Sequence, residues 1–254
     1  MNEQPVLFIG HGAPTLALDS AKGAPLRALG ETLSGVSAIL VVSAHWEESP
    51  PTLGATEAVP LVYDFSGFPR PLYSVAYPAP GAPELAERVA VLLGGEVASR
   101  PERGLDHGVW TPLVHLFPEA ETPVLQLSMP SAKGGSEVFR VGARLAPLRA
   151  EGVLLIGSGN VTHDLRALAP EGTPPAPEFL EFDRWVAERL AAGDFDALLD
   201  ALVKGPAYRR NHPTPDHWFP LLFAAGAARS GEPVSFPVEG WEYGNLSRRA
   251  VKFG

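Results

Sequence analysis

Residues 7–19 read LFIGHGAPTLALD, and the apolar run over 6–9 that feeds into them ends on Gly10-His11-Gly12. A continuous apolar run of this kind marks a strand buried on both faces, and glycine on either side of His11 permits backbone angles closed to other residues. An imidazole is thereby delivered at the carboxyl edge of a strand. The pattern recurs along the chain. ILVVSAH (39–45) brings His45 to the end of a second apolar run, 38–42, and VLLIGSGNVTH (153–163) brings His163 a short turn past a third, 153–156. A further strand is expected over 124–127. Helical periodicity falls over 85–93, 138–148, 178–190 and 195–202. Strands alternating with helices predict an α/β domain with a mostly parallel sheet, and such sheets bind ligands beyond the carboxyl ends of their strands. One histidine in a glycine turn is equally well explained by the turn. Three repeats of the arrangement predict a site.

The composition limits what such a site can be. The chain has 254 residues, 29 acidic against 20 basic side chains and a net charge of -9, so a nucleic-acid or anionic-membrane surface is not expected and a small-molecule substrate is. It contains no cysteine, which leaves imidazole and carboxylate to hold any metal. MNEQPVLFIG lacks the pattern of a secretory leader, and no apolar run approaches the length of a membrane span, so a cytoplasmic protein is expected, as a monomer or small homo-oligomer.

Two loops carry further histidines. GLDHGVWTPL (104–113) places His107 ahead of a helix whose first turn holds Thr111-Pro112, with Asp106 as a cap and His107 as loop filling the plainer reading. NHPTPDHWFPLLF (211–223) offers His212 and His217; Thr214 as N-cap and Pro215 at N1 put His217 in a first helical turn, where the helix terminus lowers an imidazole pKa. His115 is read as packing or surface. The segment over 63–80 is rich in aromatics and proline, which predicts an ordered loop or edge hairpin that either stacks a flat substrate or anchors itself to the core. Arg70 is its candidate for a substrate carboxylate. Gly157 and Gly159 are read as turn residues before His163, and Asp164 as either a cap or a partner that orients an imidazole.

Taken together, LFIGHGAPTLALD, ILVVSAHWE, YDFSGFPRPLYSVAYPAPG, GLDHGVWTPLVHLFPEA, PVLQLSMP, VLLIGSGNVTHDLR and HPTPDHWFPLL resemble the class III extradiol ring-cleavage dioxygenases, most closely the 4,5-DOPA extradiol dioxygenase branch. The resemblance runs in order from the first strand to beyond residue 220. It implies a single catalytic domain over 1–254 with a central, mostly parallel sheet flanked by helices on both faces (phosphorylase/hydrolase-like). It implies Fe(II) for activity, with Zn(II) as a metal found in purified protein, and insertion of both atoms of O2 into a catechol of DOPA-like type. His11, His45 and His217 match the metal ligands. The wider family uses two histidines and a glutamate, so Asp216 and Glu242 are the carboxylates to weigh against His217. His163 matches the acid–base histidine, with an additional metal contact open to it, and His107 matches a second active-site histidine. Three histidines with an open position also suit a zinc hydrolase, and a metal-free binding protein on the same scaffold is the third reading.

Overall fold

The structure is a computed structural model and describes residues 3–254. Its centre is a sheet of β1 (Val6–Gly10), β2 (Ala38–Glu47), β3 (Thr52–Leu53), β4 (Ala98–Ser99), β5 (Val124–Met129), β6 (Val153–Gly159), β7 (Val234–Val238) and, after a separate ribbon of β8 (Trp241–Glu242) with β9 (Leu246–Ser247), β10 (Ala250–Phe253). The order across the sheet is β4-β3-β5-β2-β6-β1-β10-β7. β5, β2, β6 and β1 run parallel, whereas β10 and β7 continue the sheet antiparallel beside β1. β6 therefore lies between β1 and β2, and the carboxyl ends of the three strands stand side by side.

Side chains alternate across the sheet. Phe8, Leu40, Leu125 and Leu155 face one layer; Leu7, Ile9, Ile39 and Leu154 face the other. The first layer is closed by α2 (Pro83–Leu92), α4 (Gly135–Leu145), α5 (Pro177–Ala191) and α9 (Phe219–Ala227), with the short α6 (Phe195–Leu199), α7 (Ala201–Lys204) and α8 (Tyr208–Asn211) between α5 and α9. α1 (Ser20–Glu31) and α3 (His107–Leu116) cover the second. Helices on both faces explain why the strands read as unbroken apolar runs. Val6, Leu7, Phe8 and Ile9 are all fully buried, each contributing about 1.5–3 kcal/mol.

Several expected boundaries move. The helix expected over 138–148 stops at Leu145 and tightens into a 3-10 turn over Ala146–Glu151, because Pro147 lacks the N–H that would continue it. The one expected over 195–202 divides at Asp200 into α6 and α7. Segment 63–80 forms a loop with a 3-10 turn at Arg70–Ser74 and no hairpin. No helix among the described residues is long and apolar enough to cross a membrane.

Candidate metal centre and active site

His11 follows the last residue of β1, and its backbone N–H donates to the Gly159 carbonyl at 3.0 Å. Gly12 then turns the chain with φ +63°, and a Cβ there would lie 2.5 Å from Glu242 Oε2. Glycine is needed at 12 for both reasons. Glu242 is buried and accepts the Ala13 N–H at 2.8 Å, with Lys22 Nζ and Arg248 Nε each 3.7 Å away. Its carboxylate holds the turn after His11, and among the described residues it joins no cluster with metal-ligand spacing.

His45 stands near the end of β2, where the pairing with β5 becomes irregular beyond Val42. His217 reaches the same place by a different device. Gly157 and Gly159, expected as turn residues, lie within β6 itself; a Cβ on Gly157 would fall 2.0 Å from the Pro220 carbonyl oxygen and one on Gly159 2.4 Å from that of His217. Their bare backbone lets 217–220 lie directly on the strand, and the Asn160 N–H fixes it by donating to the His217 carbonyl at 3.1 Å. α9 begins at Phe219 with Trp218 at its N-cap, so Thr214 is not the cap and Pro215 is not N1. A turn closed by Trp218 N–H to the Pro215 carbonyl comes first, and His217 precedes the helix.

One nitrogen each from His11, His45 and His217 lies within 4.8 Å of the others, and the Nε2 atoms of His11 and His45 are 3.2 Å apart. The opposite nitrogens are tied back. α3 starts at His107 itself, so His107 is not loop filling, and Pro112 falls past the first turn, inside the helix, and leaves the Gly108 carbonyl without its helical donor. Ser158 Oγ–H donates to that carbonyl; its oxygen therefore accepts from His11 Nδ1–H at 3.0 Å, leaving the lone pair on Nε2. Asp216 accepts from His217 Nδ1 in the same way, so this carboxylate backs the imidazole. Burial holds the His11 and His217 pKa values well below the ordinary range, with neighbouring imidazoles lowering them further. Burial, then His107, takes His45 down to about 3, against the pull of Asp64. Neutral imidazole is the metal-binding form. Two nitrogens about 2.1 Å from a shared ion stand roughly 3 Å apart, so the donor set fits a metal and leaves one side open.

His163 is not part of that trio, but with Asp216 and His217 it forms a second group whose ligand atoms lie within 4.8 Å of one another, which leaves the additional metal contact open to it. Its ring stacks on His217 with centroids 3.5 Å apart and planes 7° from parallel, and its backbone N–H donates to the Asn211 carbonyl at 2.9 Å. Burial lowers its pKa, opposed by Asp216 and Asp164. Asp164 caps the following turn through the Arg166 N–H at 3.0 Å and pairs with the Arg166 and Arg210 guanidinium groups, which accounts for it as a cap. His107 opens α3 with its ring centroid 3.9 Å from that of His45. Asp106 occupies the N-cap position of α3, but its side chain accepts from Ser43 Oγ at 2.8 Å and from Gln126 and does not cap. His115 and His212 are structural, their Nε2–H groups donating at 2.7 Å to the carbonyls of Leu16 and Val161.

The residue missed by the sequence reading is Asp64. Its Oδ1 accepts the His107 N–H at 3.0 Å and His107 Nδ1–H at 2.9 Å, while Oδ2 lies 3.5 Å from His45 Nδ1. Burial raises its pKa, but the His107 hydrogen bonds outweigh this and hold it at about 2. A lone acidic residue inside an otherwise aromatic loop was the available signal.

His11, His45, Asp64, His107, His163, Asp216 and His217 line one cleft of about 810 Å3, whose apolar walls include Phe65, Phe68, Leu165 and Leu168. The aromatic segment anchors itself to the core, because Tyr63 and Tyr73 pack against Phe65 and Tyr63 packs on Trp110, and it also places Phe65 and Phe68 at the cleft. Arg70 is not at the cleft; Arg166 is the arginine that lines it.

Comparison with known proteins agrees with this geometry. The profile described as the catalytic LigB subunit of aromatic ring-opening dioxygenase matches residues 24–254. A protein named 4,5-DOPA dioxygenase extradiol from Beta vulgaris is 39% identical, covering 99% of this chain and 97% of its own. One of the same name from Escherichia coli (strain K12) is 40% identical, over 98% and 94%. The crystal structure of an uncharacterized protein from Escherichia coli K12 superposes with a TM-score of 0.85 at 37% identity, covering 99% of this chain and 100% of that one. With the fold, the histidine cluster and nearly the whole length matched together, this chain belongs to the LigB family of aromatic ring-opening extradiol dioxygenases.

Proposed function

We propose that the whole chain is one catalytic domain, an Fe(II)-dependent dioxygenase that opens a catechol ring with O2, and that DOPA-like diols are its substrate class. The observation that carries this reading is the convergence of His11, His45 and His217 in a cleft walled by Phe65 and Phe68. The names of the relatives from Beta vulgaris and Escherichia coli support the substrate class. In this reading His11, His45 and His217 hold the metal. When bound, Fe(II) supplies open positions at which the catechol oxygens and O2 meet.

The chain's own groups do the rest. Phe65 and Phe68 present an apolar, edge-and-face surface to a flat ring and exclude water from it. His163, kept neutral by burial, takes a catechol proton at a ring nitrogen and later returns one to the opened product. His107, beside His45, contacts the substrate or oxygen. Because three imidazole nitrogens are also a donor set suited to Zn(II), zinc in purified protein would be compatible with this reading.

The test is anaerobic reconstitution with Fe(II), addition of a catechol panel that includes DOPA, then air. A yellow ring-opened product with one O2 consumed per catechol is expected. Absence of O2 uptake with every catechol, together with ester or amide hydrolysis by the zinc form, would replace this reading with that of a zinc hydrolase.

A further inference from the structure

Asp64 lies on the loop that forms the aromatic wall, next to Phe65, and its carboxylate is directed away from that wall toward two imidazoles. Oδ1 receives both the backbone N–H and the Nδ1–H of His107, at 3.0 and 2.9 Å. Oδ2 faces His45 Nδ1 at 3.5 Å. The backbone contact satisfies the first N–H of α3, which Asp106 leaves open. Phe65 packs edge-on against the His107 ring at 5.5 Å, so wall and imidazole meet on the carboxylate's own loop.

We propose that Asp64 is a positioning residue that sets the tautomer and tilt of both His107 and His45, so that each ring keeps its proton on Nδ1 and turns Nε2 into the cleft. An ionised carboxylate only accepts, so the His107 nitrogen bonded to it carries the hydrogen, and its charge 3.5 Å from His45 Nδ1 favours the hydrogen on that nitrogen too. Partners of this kind orient ligand and catalytic imidazoles, and their loss costs 10- to 100-fold in metal affinity or activity. Asp64 thus does for His107 what Ser158 does for His11 and Asp216 for His217, and acts on His45 through its charge 3.5 Å from Nδ1. The same loop that receives the substrate ring fixes the nitrogens that face it. The role at His45 rests on the proposed metal site, whereas the role at His107 is independent of it.

The experiment uses two variants and the metal-free protein labelled with 15N. Two-bond 1H–15N spectra, with the His107 signals assigned by their loss in His107→Gln, are expected to give the Nδ1–H tautomer for His107 in the wild type. Asp64→Asn keeps an oxygen for His107 but turns an NH2 donor toward His45, so the His107 spectrum should be retained while Zn(II) affinity falls about 10- to 100-fold. Asp64→Ala should also convert His107 to the mixed tautomers of a free imidazole. In iron-loaded protein its kcat should fall by a similar factor with catechol KM changed little. A wild-type His107 in the Nε2–H form, or Zn(II) affinity unchanged in both variants, overturns the proposal. Neither spectrum nor zinc titration requires turnover, so a wild type that opens no catechol defeats the proposed function and leaves this test standing. If Asp64→Ala does not fold, the wild-type spectrum and Asp64→Asn still decide.

Discussion

The Nε2 atoms of His11 and His45 stand 3.2 Å apart although their strands, β1 and β2, are separated by β6. Both rings lean over the end of β6 to meet. Ser158 on that strand fixes the His11 tautomer, so a lone pair is directed at the gap. A pair of neutral imidazoles arranged this way, His11 buried and His45 half-buried, is suited to sharing a cation.

His11→Ala, His45→Ala and His217→Ala should each lose most bound metal, because two remaining imidazoles compete poorly with buffer. Glu242→Gln should keep it, since Glu242 serves the turn at Ala13. Elemental analysis after reconstitution distinguishes these. Full metal in His217→Ala beside an empty Glu242→Gln would restore a carboxylate as the third ligand.

Pro112→Ala should separate stability from metal binding. Removing proline from a helix interior relieves up to about 3 kcal/mol of unfavourable propensity, so the melting temperature should hold or rise. The restored N–H competes with Ser158 for the Gly108 carbonyl and loosens the His11 tautomer. Zn(II) affinity should therefore fall, and further in Ser158→Ala, by about 10- to 100-fold. Titration beside thermal melts checks this; unchanged affinity in Ser158→Ala would remove Ser158 from the account.

Gly157→Ala places a methyl group 2.0 Å from the Pro220 carbonyl oxygen, backbone against backbone. The strand cannot yield easily, and a loss of about 1–3 kcal/mol is expected in urea denaturation. Metal content should fall with it, because the segment displaced carries His217. Wild-type stability and metal content in this variant would show that β6 does not need bare backbone there.

The Arg149–Glu232 pair gives a pH dependence remote from the site. Arg149 is buried and donates to both Glu232 oxygens, one contact being 2.9 Å. Burial alone raises the Glu232 pKa, but Arg149 and the Arg229 N–H outweigh it and bring the folded value below the ordinary 4.5. A carboxylate lowered on folding contributes stability that is present in full above its unfolded pKa and is lost as pH falls through the folded one. Wild type should therefore exceed Glu232→Gln by about 1.5–3 kcal/mol at pH 7. The gap should close as pH is lowered below about 4.5 and through the folded value. Urea melts over pH 3–7 would contradict this with a gap that is constant, or that widens in acid.

The parallel core was legible because helices on both faces force unbroken apolar strands, and 6–9, 38–42, 124–127 and 153–156 have no other reading. The edge was not. β7 carries Pro237 and alternates half-buried with exposed residues, and β10 is four residues long, so neither gives the signal of a doubly covered strand. The histidines were legible by their place at strand ends and by the family resemblance. What the sequence could not reveal was why they stay there. Gly157 and Gly159 looked like turn residues because the backbone that packs on them comes from sixty residues away. Pro112 looked like a first-turn proline because only the structure puts Ser158 at the carbonyl it frees. Asp64 looked like loop polarity because its partners are 19 and 43 residues distant in sequence.

Iron content measured beside single-turnover rate in His163→Ala and His217→Ala tests the central division of labour most directly. His163 stacks on His217 but lies outside the His11, His45, His217 trio. His163→Ala should keep most of its iron and bind catechol, with turnover reduced roughly 10²- to 10⁴-fold as for a lost acid–base group. His217→Ala should lose iron and turnover together. Equal loss of iron in the two variants would make His163 a ligand and contradict the account.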